Sequence, residues 1–432
     1  MQPGRPVEVG RPVEVGRPVL ATAGAALAAA VACLALIVPV DTGCADSESS
    51  ALQMTLLTIT VPRATAAGAV VAVLAAVVVA MFGARAAWAT ATVAASALAA
   101  DHLLVSATSA SLATANFADS LAAGVLLGAV GAVALQSRPP ATGYLLGALT
   151  GVLVGDHLEN AADFGSRSIL ERAFDDLPPN WLTIPTAILL ASCFLVWQRS
   201  DTAAYPTTLN LPFGPILGAA VLITTITVAA ERFSHTVVDP GALALGVLAT
   251  LAAALVAVLL LPGRDGTLTL LMVALAAGGS AITYGARQHW QVAPMLITMT
   301  ACFFLGRVRP APLAAATAIL ALGVFDMLTS TAEQSDALLS LIGSCAVAAI
   351  AGYGFGAVAT RTVAGTVLPI GLLLIPSAVL SLEFRGCGPT PWHHHDGVLG
   401  DRPAWFALGL GFGCLLGILA LRRWRPGPED GA

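Results

Sequence analysis

Four ionisable side chains lie inside apolar stretches of this chain, where a charge is costly. Asp101 and His102 lie in one stretch, Asp119 in the next, and Asp326 in a much later one. An ionised group in hydrocarbon costs several kcal/mol, so such residues usually mark an ion or proton pathway. Because carboxyl and imidazole groups exchange protons, these four residues are candidates for proton coupling or substrate binding.

A second group of ionisable residues lies at the predicted outer ends of apolar stretches. This group contains Asp41, Asp156, His157 and Glu231. Water at the membrane surface can solvate all of them, which favours a purely structural interpretation. Asp41 directly follows the first stretch, and as an acid it can bind a proton. It therefore stays among the candidates for proton coupling or substrate binding.

Four glycines recur at a spacing of four residues. Gly143, Gly147, Gly151 and Gly155 would lie on one face of a helix and let a second helix approach closely. Simple helix packing explains this ladder. A contact between two rocking halves of a transporter is the functional alternative, and the two interpretations are compatible.

The predicted outer loops raise two further possibilities. Cys44 and Cys387 are the two cysteines outside the apolar stretches, and an oxidising exterior would allow them to form a disulfide. The segment from His393 to His395 precedes Asp396 and could supply metal ligands. Adjacent histidines do not all face one ion from a regular element, so a solvated loop is favoured and no metal site is predicted.

Fourteen apolar stretches must position these residues. A bilayer core of about 30 Å requires about 20 apolar residues of helix, and most of the stretches are long enough. The sequence therefore predicts an all-α integral membrane protein with fourteen transmembrane helices. The predicted spans are 19–40, 60–82, 86–108, 115–136, 141–157, 181–198, 211–231, 240–261, 267–286, 291–306, 311–330, 336–359, 363–383 and 404–421.

The arginines orient these spans. The chain is 57% hydrophobic and 10% charged, which excludes an ordinary soluble domain. All twenty of its cations are arginine, and thirteen of them fall in the tails and connections of one side against seven on the other. By the positive-inside rule, the side with thirteen is cytoplasmic, and both termini lie there.

Short glycine–arginine turns indicate an internal duplication. Gly83-Ala84-Arg85 follows the second stretch, and Gly306-Arg307 follows the tenth. This offset fits two six-helix bundles separated by two inserted helices, an architecture common among secondary transporters. The predicted divisions are a disordered tail with a hexapeptide repeat, a first bundle, an inserted pair, a second bundle and a second tail, at residues 1–18, 19–198, 199–265, 266–421 and 422–432.

Several segments resemble one known family in register. Asp41 and Leu52-Gln53 resemble the acidic end of its first helix and the opening of its second. The other resembling segments are residues 115–124 in the fourth helix, the glycine ladder in the fifth, Trp181 with Ile184-Pro185 at the sixth, and residues 341–343 through 352–356 in the twelfth. Over nearly its whole length, the chain resembles the fourteen-helix drug:proton antiporter branch of the major facilitator superfamily.

This resemblance implies proton-coupled efflux of a small solute by alternating access. Few aromatic or charged residues line the predicted spans, so an apolar or amphipathic solute is expected. Two family features differ: the turn at Gly83 lacks the expected aspartate, and Asn116 and Asp119 replace the arginine and glutamine of the fourth helix.

Two other functions are compatible with the sequence. One is a transport-inactive, transporter-like protein that acts as a partner or sensor. The other, less favoured, is a membrane-embedded lipid-linked glycosyltransferase, for which Asp41, Asp46 and Glu48 supply acids but no large outer domain is present. We expect no enzymatic activity and no cofactor. A monomer in a bacterial plasma membrane is expected, with the bilayer, protons and a small solute as partners and no role for nucleic acid.

Overall fold

Helices form every regular element in the described part of the chain. The structure is a computed structural model that describes residues 12–37, 51–104, 112–159, 178–198, 213–235, 239–262, 265–282, 289–329, 337–358, 360, 362–375, 377, 379 and 402–425. The helices are α1 (Pro12–Leu36), α2 (Ala51–Leu104), α3 (Leu112–Ala134), α4 (Arg138–Glu159), α5 (Asn180–Gln198), α6 (Phe213–His235), α7 (Pro240–Leu260), α8 (Gly266–Ala281), α9 (Val292–Val308), α10 (Pro312–Thr329), α11 (Ala337–Ala357), α12 (Ala364–Leu374) and α13 (Arg402–Trp424). A short 3₁₀ helix, His289–Gln291, precedes α9.

Ten of the described helices are long and apolar enough to cross a membrane. Large apolar side chains on these helices point outward instead of into the bundle, including Ile188, Leu248 and Leu328 at 63%, 63% and 73% exposure. A water-soluble surface seldom carries so many of them, whereas hydrocarbon solvates them well. The chain is therefore an all-helical protein built for a membrane, with several crossings.

The α2 helix folds back on itself at Gly83. This glycine has φ 84° and ψ 178°, a conformation that only glycine adopts at low cost. Gly68, before the break, packs on Ser120 of α3, and His102, after the break, approaches Asp119 of the same helix. A straight helix would hold residues 68 and 102 about 50 Å apart at 1.5 Å per residue. Residues 51–82 (α2a) and 84–104 (α2b) therefore form a hairpin.

The first helix begins earlier than the sequence predicted. Residues 1–18 were expected to form a disordered tail because of their repeated prolines, but α1 starts at Pro12. Proline is tolerated at a helix start because its missing N–H has no partner there anyway. Pro18 lies within α1. Its carbonyl accepts a hydrogen bond from the Thr22 hydroxyl (2.6 Å), which gives this hydroxyl a partner inside the helix. In the structure α1 thus begins seven residues before the predicted span at residue 19.

Close glycine contacts fix three helix pairs. A Cβ on Gly147 would lie 2.1 Å from the Ala26 carbonyl oxygen, which joins α4 to α1. A Cβ on Gly128 would lie 2.1 Å from the Ala72 carbonyl oxygen, which joins α3 to α2a, and one on Gly352 would lie 2.2 Å from the Met299 carbonyl oxygen, which joins α11 to α9. Lipid tails are as apolar as the side chains, so the hydrophobic effect does not bring helices together inside a membrane. Close backbone contact of this kind stabilises helix pairs there.

The remaining pairs complete two groups of helices. α2 also packs on α5, and the Arg85 guanidinium donates to the Gln198 carbonyl (2.8 Å), which places this contact on α2b. The α8 helix packs on α7, α10, α11, α12 and α13, and thirteen of its sixteen residues are buried. The α10 helix packs on α13, while α6 packs on α7, α2 and α12. Short and enclosed by protein, α8 presents little surface to lipid.

Candidate functional site

Two carboxyl groups and one imidazole meet where α2b ends and α3 begins. The Asp119 side chain is buried with 9% of its residue surface exposed, and the Asp101 carboxyl lies beside it. The His102 Nε2 lies 3.9 Å from the Asp119 Oδ2. Asp101 and His102 are half-buried in the last turn of α2b. We call Asp101, His102 and Asp119 the acid–histidine cluster.

Local sequence explains why these three residues meet. Asp101 and His102 end one helix, and Asp119 lies in the second turn of the next helix, after a connection of seven residues. Antiparallel neighbours joined by a short connection bring such positions to the same level. The glycines Gly68 and Gly124 then hold α3 tightly against α2a, which fixes the position of Asp119 relative to the hairpin.

The cluster can bind and release a proton. Two carboxylates this close repel each other, so a proton bound to one of them stabilises the pair. An imidazole within reach can accept that proton or stabilise the charge that remains. The three side chains can therefore pass a proton among themselves.

Asp326 does not join the cluster. It is buried in α10, at 5% exposure. α10 packs on α8, α11 and α13, whereas α3 packs on α1, α2, α4 and α12. The sequence placed Asp119 and Asp326 together as leading coupling candidates, and the structure separates them into different groups of helices. Asp326 instead lies near the start of the α10–α13 contact, where Gly323 faces Leu408.

Three predicted site residues lie outside the described part of the chain. These are Asp41, Cys44 and Cys387, and the His393–His395 segment lies outside it as well. The disulfide between Cys44 and Cys387 stays a prediction. Within the described residues, no group of three or more histidine, cysteine, aspartate or glutamate side chains is arranged to hold a metal ion.

The glycine ladder faces α1. A Cβ on Gly143, Gly147 or Gly151 would lie 2.6, 2.1 or 2.6 Å from carbonyl oxygens of α1, and one on Gly155 would contact Ile37. Both helices belong to the first predicted bundle. The ladder is thus a packing surface inside that bundle, and the expectation of a contact between rocking halves does not fit its partner.

Four polar contacts between distant helices were not foreseen from the sequence. The His157 and His289 rings lie 5.9 Å apart between centroids, and the Arg63 guanidinium binds Glu231 through two hydrogen bonds of 2.6 and 2.9 Å. Asp265, 1% exposed, accepts from the Thr362 N–H at 2.8 Å and from its hydroxyl. Arg307 donates to the Thr142 hydroxyl. Each pair is more than 90 residues apart, so no local pattern connects its members.

Two cavities of the described structure are apolar or very small. A cavity of about 270 Å³ lies between α10 and α11 and is lined by Phe325, Gly343 and aliphatic side chains. A second cavity of about 20 Å³ lies beside the buried hydroxyls of Thr250 and Ser377, room for about one water molecule. Neither cavity is lined by the acid–histidine cluster.

The comparisons with known proteins leave this chain without an assigned family. No protein-family model matches it, and no curated protein matches it either. Its function is therefore inferred from the geometry of the chain itself.

Proposed function

We propose that this protein is a secondary active transporter that couples proton entry to the efflux of a small apolar or amphipathic solute. The observation that carries the proposal is a packing scheme that occurs twice along the chain. α1 pairs with α4, α2a with α3, and α2b with α5. α9 pairs with α11 and α10 with α13, while α8 packs on α12 and more extensively on α13. In each group, the first, second and third helices thus contact the fifth, fourth and sixth.

This repetition supports the predicted architecture of six, two and six helices. α6 and α7 fall between the two groups and pack on each other. α6 contacts α2 of the first group and α12 of the second, and α7 contacts α8 and α13 of the second. Internal repeats of this kind support alternating access, in which one bundle rocks against the other. They also support, without a sequence match, the proposed place in the fourteen-helix drug:proton antiporter branch of the major facilitator superfamily.

The polar contacts agree with the proposed topology of fourteen crossings and cytoplasmic termini. Arg63 and Glu231 both lie at predicted outer ends, as do His157 and His289. Other pairs join predicted inner ends, among them Arg307 with Thr142 and Arg425 with the Leu261 carbonyl (2.8 Å). Arginine at the inner ends is what the positive-inside rule expects of a cytoplasmic side. A bacterial plasma membrane and a monomer complete the proposal.

The acid–histidine cluster is the proposed proton carrier. It lies in the outer half of the first bundle, where external protons enter under the usual inward gradient. Asp119 is the most buried member and touches both others, so it is the residue on which the coupling depends. Asp326 is proposed as a separate buried acid of the second bundle.

Proton-driven transport in proteoliposomes tests this proposal. Purified protein is reconstituted, a pH gradient is imposed, and the flux of a panel of amphipathic compounds is measured. Asp119→Asn should lose at least about tenfold of the gradient-driven flux, because the amide cannot carry the proton. The matched control is Asp239→Asn, because Asp239 caps α7 through the Ala242 N–H (2.7 Å) and asparagine caps equally well. Full flux in Asp119→Asn would remove the coupling assignment.

A transport-inactive protein that serves as a partner or sensor is the second candidate. The turn at Gly83, which lacks the aspartate of the resembled family, favours it. In the structure Arg85 of this turn binds the Gln198 carbonyl of α5, within the same bundle. No flux of any compound, with native stability retained, would favour this second function.

A further inference from the structure

We propose that His157 and His289 form the outer latch between the two bundles, and that protonation of both opens it. The inference rests on the proposed function, since it assigns α4 to the first bundle and α9 to the second. We call the contact between α4 and α9 the seam. Its outer end holds the two histidines, and its inner end holds Arg307 and Thr142.

The two histidines are placed to hold the seam closed. His157 lies two residues before the end of α4 and has 0% exposure. His289 begins the 3₁₀ helix that leads into α9, and Gln291, at 0% exposure, closes the same helix. The rings meet edge to face, with centroids 5.9 Å apart and planes at 70°. Aromatic rings attract each other in this arrangement.

Protonation of both rings would turn their attraction into repulsion. Two imidazolium rings at this separation repel, and the repulsion is strong where little water screens it. Histidine is the side chain whose ordinary titration falls in the range of pH that a bacterial exterior experiences. A seam closed by neutral rings therefore opens as external pH falls.

Few other charges face His157 in the described residues. α4 itself brings the half-buried Asp156. The outer ends of α1, α11 and α12, which also pack on α4, carry no charged side chain among the described residues. On α3 the acid is Asp119, which lies beside Asp101 and His102. The charged side chain of α9, Arg307, lies at the opposite end of that helix from His289.

The inner end of the seam responds differently to protons. Arg307 donates to the Thr142 hydroxyl and lies 5.8 Å from the centre of the Phe303 ring. A guanidinium stays protonated at every physiological pH, and a threonine hydroxyl does not titrate. A fall in pH therefore weakens the outer end of the seam and leaves the inner end unchanged. The seam then opens on the outer side.

Amide hydrogen exchange of the full-length protein in lipid nanodiscs tests the latch without requiring transport. Exchange is followed in peptides that cover residues 151–159 and 289–295, at about pH 7.5 and about pH 5.5. Rates are divided by the intrinsic rate at each pH. In the native chain we expect corrected exchange of these peptides to rise on the order of tenfold at the lower pH, while peptides around Thr142 and Arg307 do not change.

Three variants complete the test. His157→Phe/His289→Phe keeps two aromatic rings in contact and removes the titration, so exchange should not respond to pH. His157→Gln/His289→Gln, used if the first variant fails to fold, removes both the rings and the titration, and its exchange should not respond to pH either. His235→Gln, at the end of α6, is the matched control and should behave like the native chain, because α6 does not pack on α4 or α9 in the described structure.

The outcomes separate this inference from the proposed function. The latch is overturned if the corrected exchange of the native seam does not change with pH. It is also overturned if the pH response persists without both histidines. Both conclusions hold even if proton-coupled flux is observed. A pH response that disappears with the histidines supports the latch, even if no compound is transported.

Discussion

At the scale of single residues, the sequence gives little information about contacts between residues that lie far apart along the chain. Asp101, His102 and Asp119 were singled out as ionisable residues inside apolar stretches. The structure brings them together because a short connection joins their helices. His157 and His289 could not be paired from the sequence, because their contact depends on which helices become neighbours. Asp265 was overlooked for a similar reason: its partner Thr362 lies 97 positions away.

Loss of the Asp265 carboxylate should destabilise the chain. Asp265→Ala leaves the half-buried Thr362 N–H and hydroxyl without this acceptor, at a cost on the order of 2 kcal/mol. The thermal unfolding midpoint of the detergent-solubilised protein measures this cost. Asp265→Asn keeps an acceptor oxygen and should lose much less. Equal midpoints for Asp265→Ala and the native protein would show that this contact does not stabilise the start of α12.

At the scale of elements, apolar length predicted where helices form but not which helices meet. Every predicted span overlaps a described helix, because a long apolar run in a membrane protein has few alternatives to a helix. The spacing of Gly143 to Gly155 predicted a close helix contact, and only the fold shows that its partner is α1. The helical start at Pro12 was missed because the repeated prolines were given too much weight.

Close backbone contact at the glycine ladder should make one extra methyl group costly. In Gly147→Ala, the new Cβ would lie 2.1 Å from the Ala26 carbonyl oxygen, so α1 and α4 must separate, at a cost of about 1–3 kcal/mol. Gly278→Ala is the matched control, since the nearest atom to its Cβ is a methyl group of Ile319 at 3.7 Å. This control should be neutral or slightly stabilising in thermal unfolding. A similar midpoint for both variants would contradict the packing of α4 on α1.

At the scale of the whole molecule, the repeated packing scheme is the basis of the proposed transport function. Two groups of helices with similar internal contacts would form the two bodies that rock in the proposed transporter. α6 and α7 contact both bundles at their margins, and the ion pair of Arg63 with Glu231 ties α6 to α2a. In the proposed transporter, the acid–histidine cluster binds the proton, the seam closes the outer side, and the inserted pair supports the bundles.

Chemical labelling of single cysteines tests the orientation of the molecule. Ser137→Cys lies in an exposed predicted inner turn, and Gly241→Cys lies in the exposed first turn of α7 on the predicted outer side. In a chain with its native cysteines replaced, a membrane-impermeant maleimide should label residue 241 on intact cells and residue 137 only after lysis. Labelling of residue 137 on intact cells would show that the orientation is the reverse of the predicted one.

Proton movement driven by the solute alone tests the central claim most directly. Proteoliposomes that contain a pH dye are loaded with a solute found to be transported, and are diluted into solute-free buffer of equal pH. Because coupling is reciprocal, outward solute flux should pull protons inward and acidify the lumen, and Asp119→Asn should abolish this signal while Asp239→Asn keeps it. Solute efflux through the native protein with no change of internal pH would contradict proton coupling.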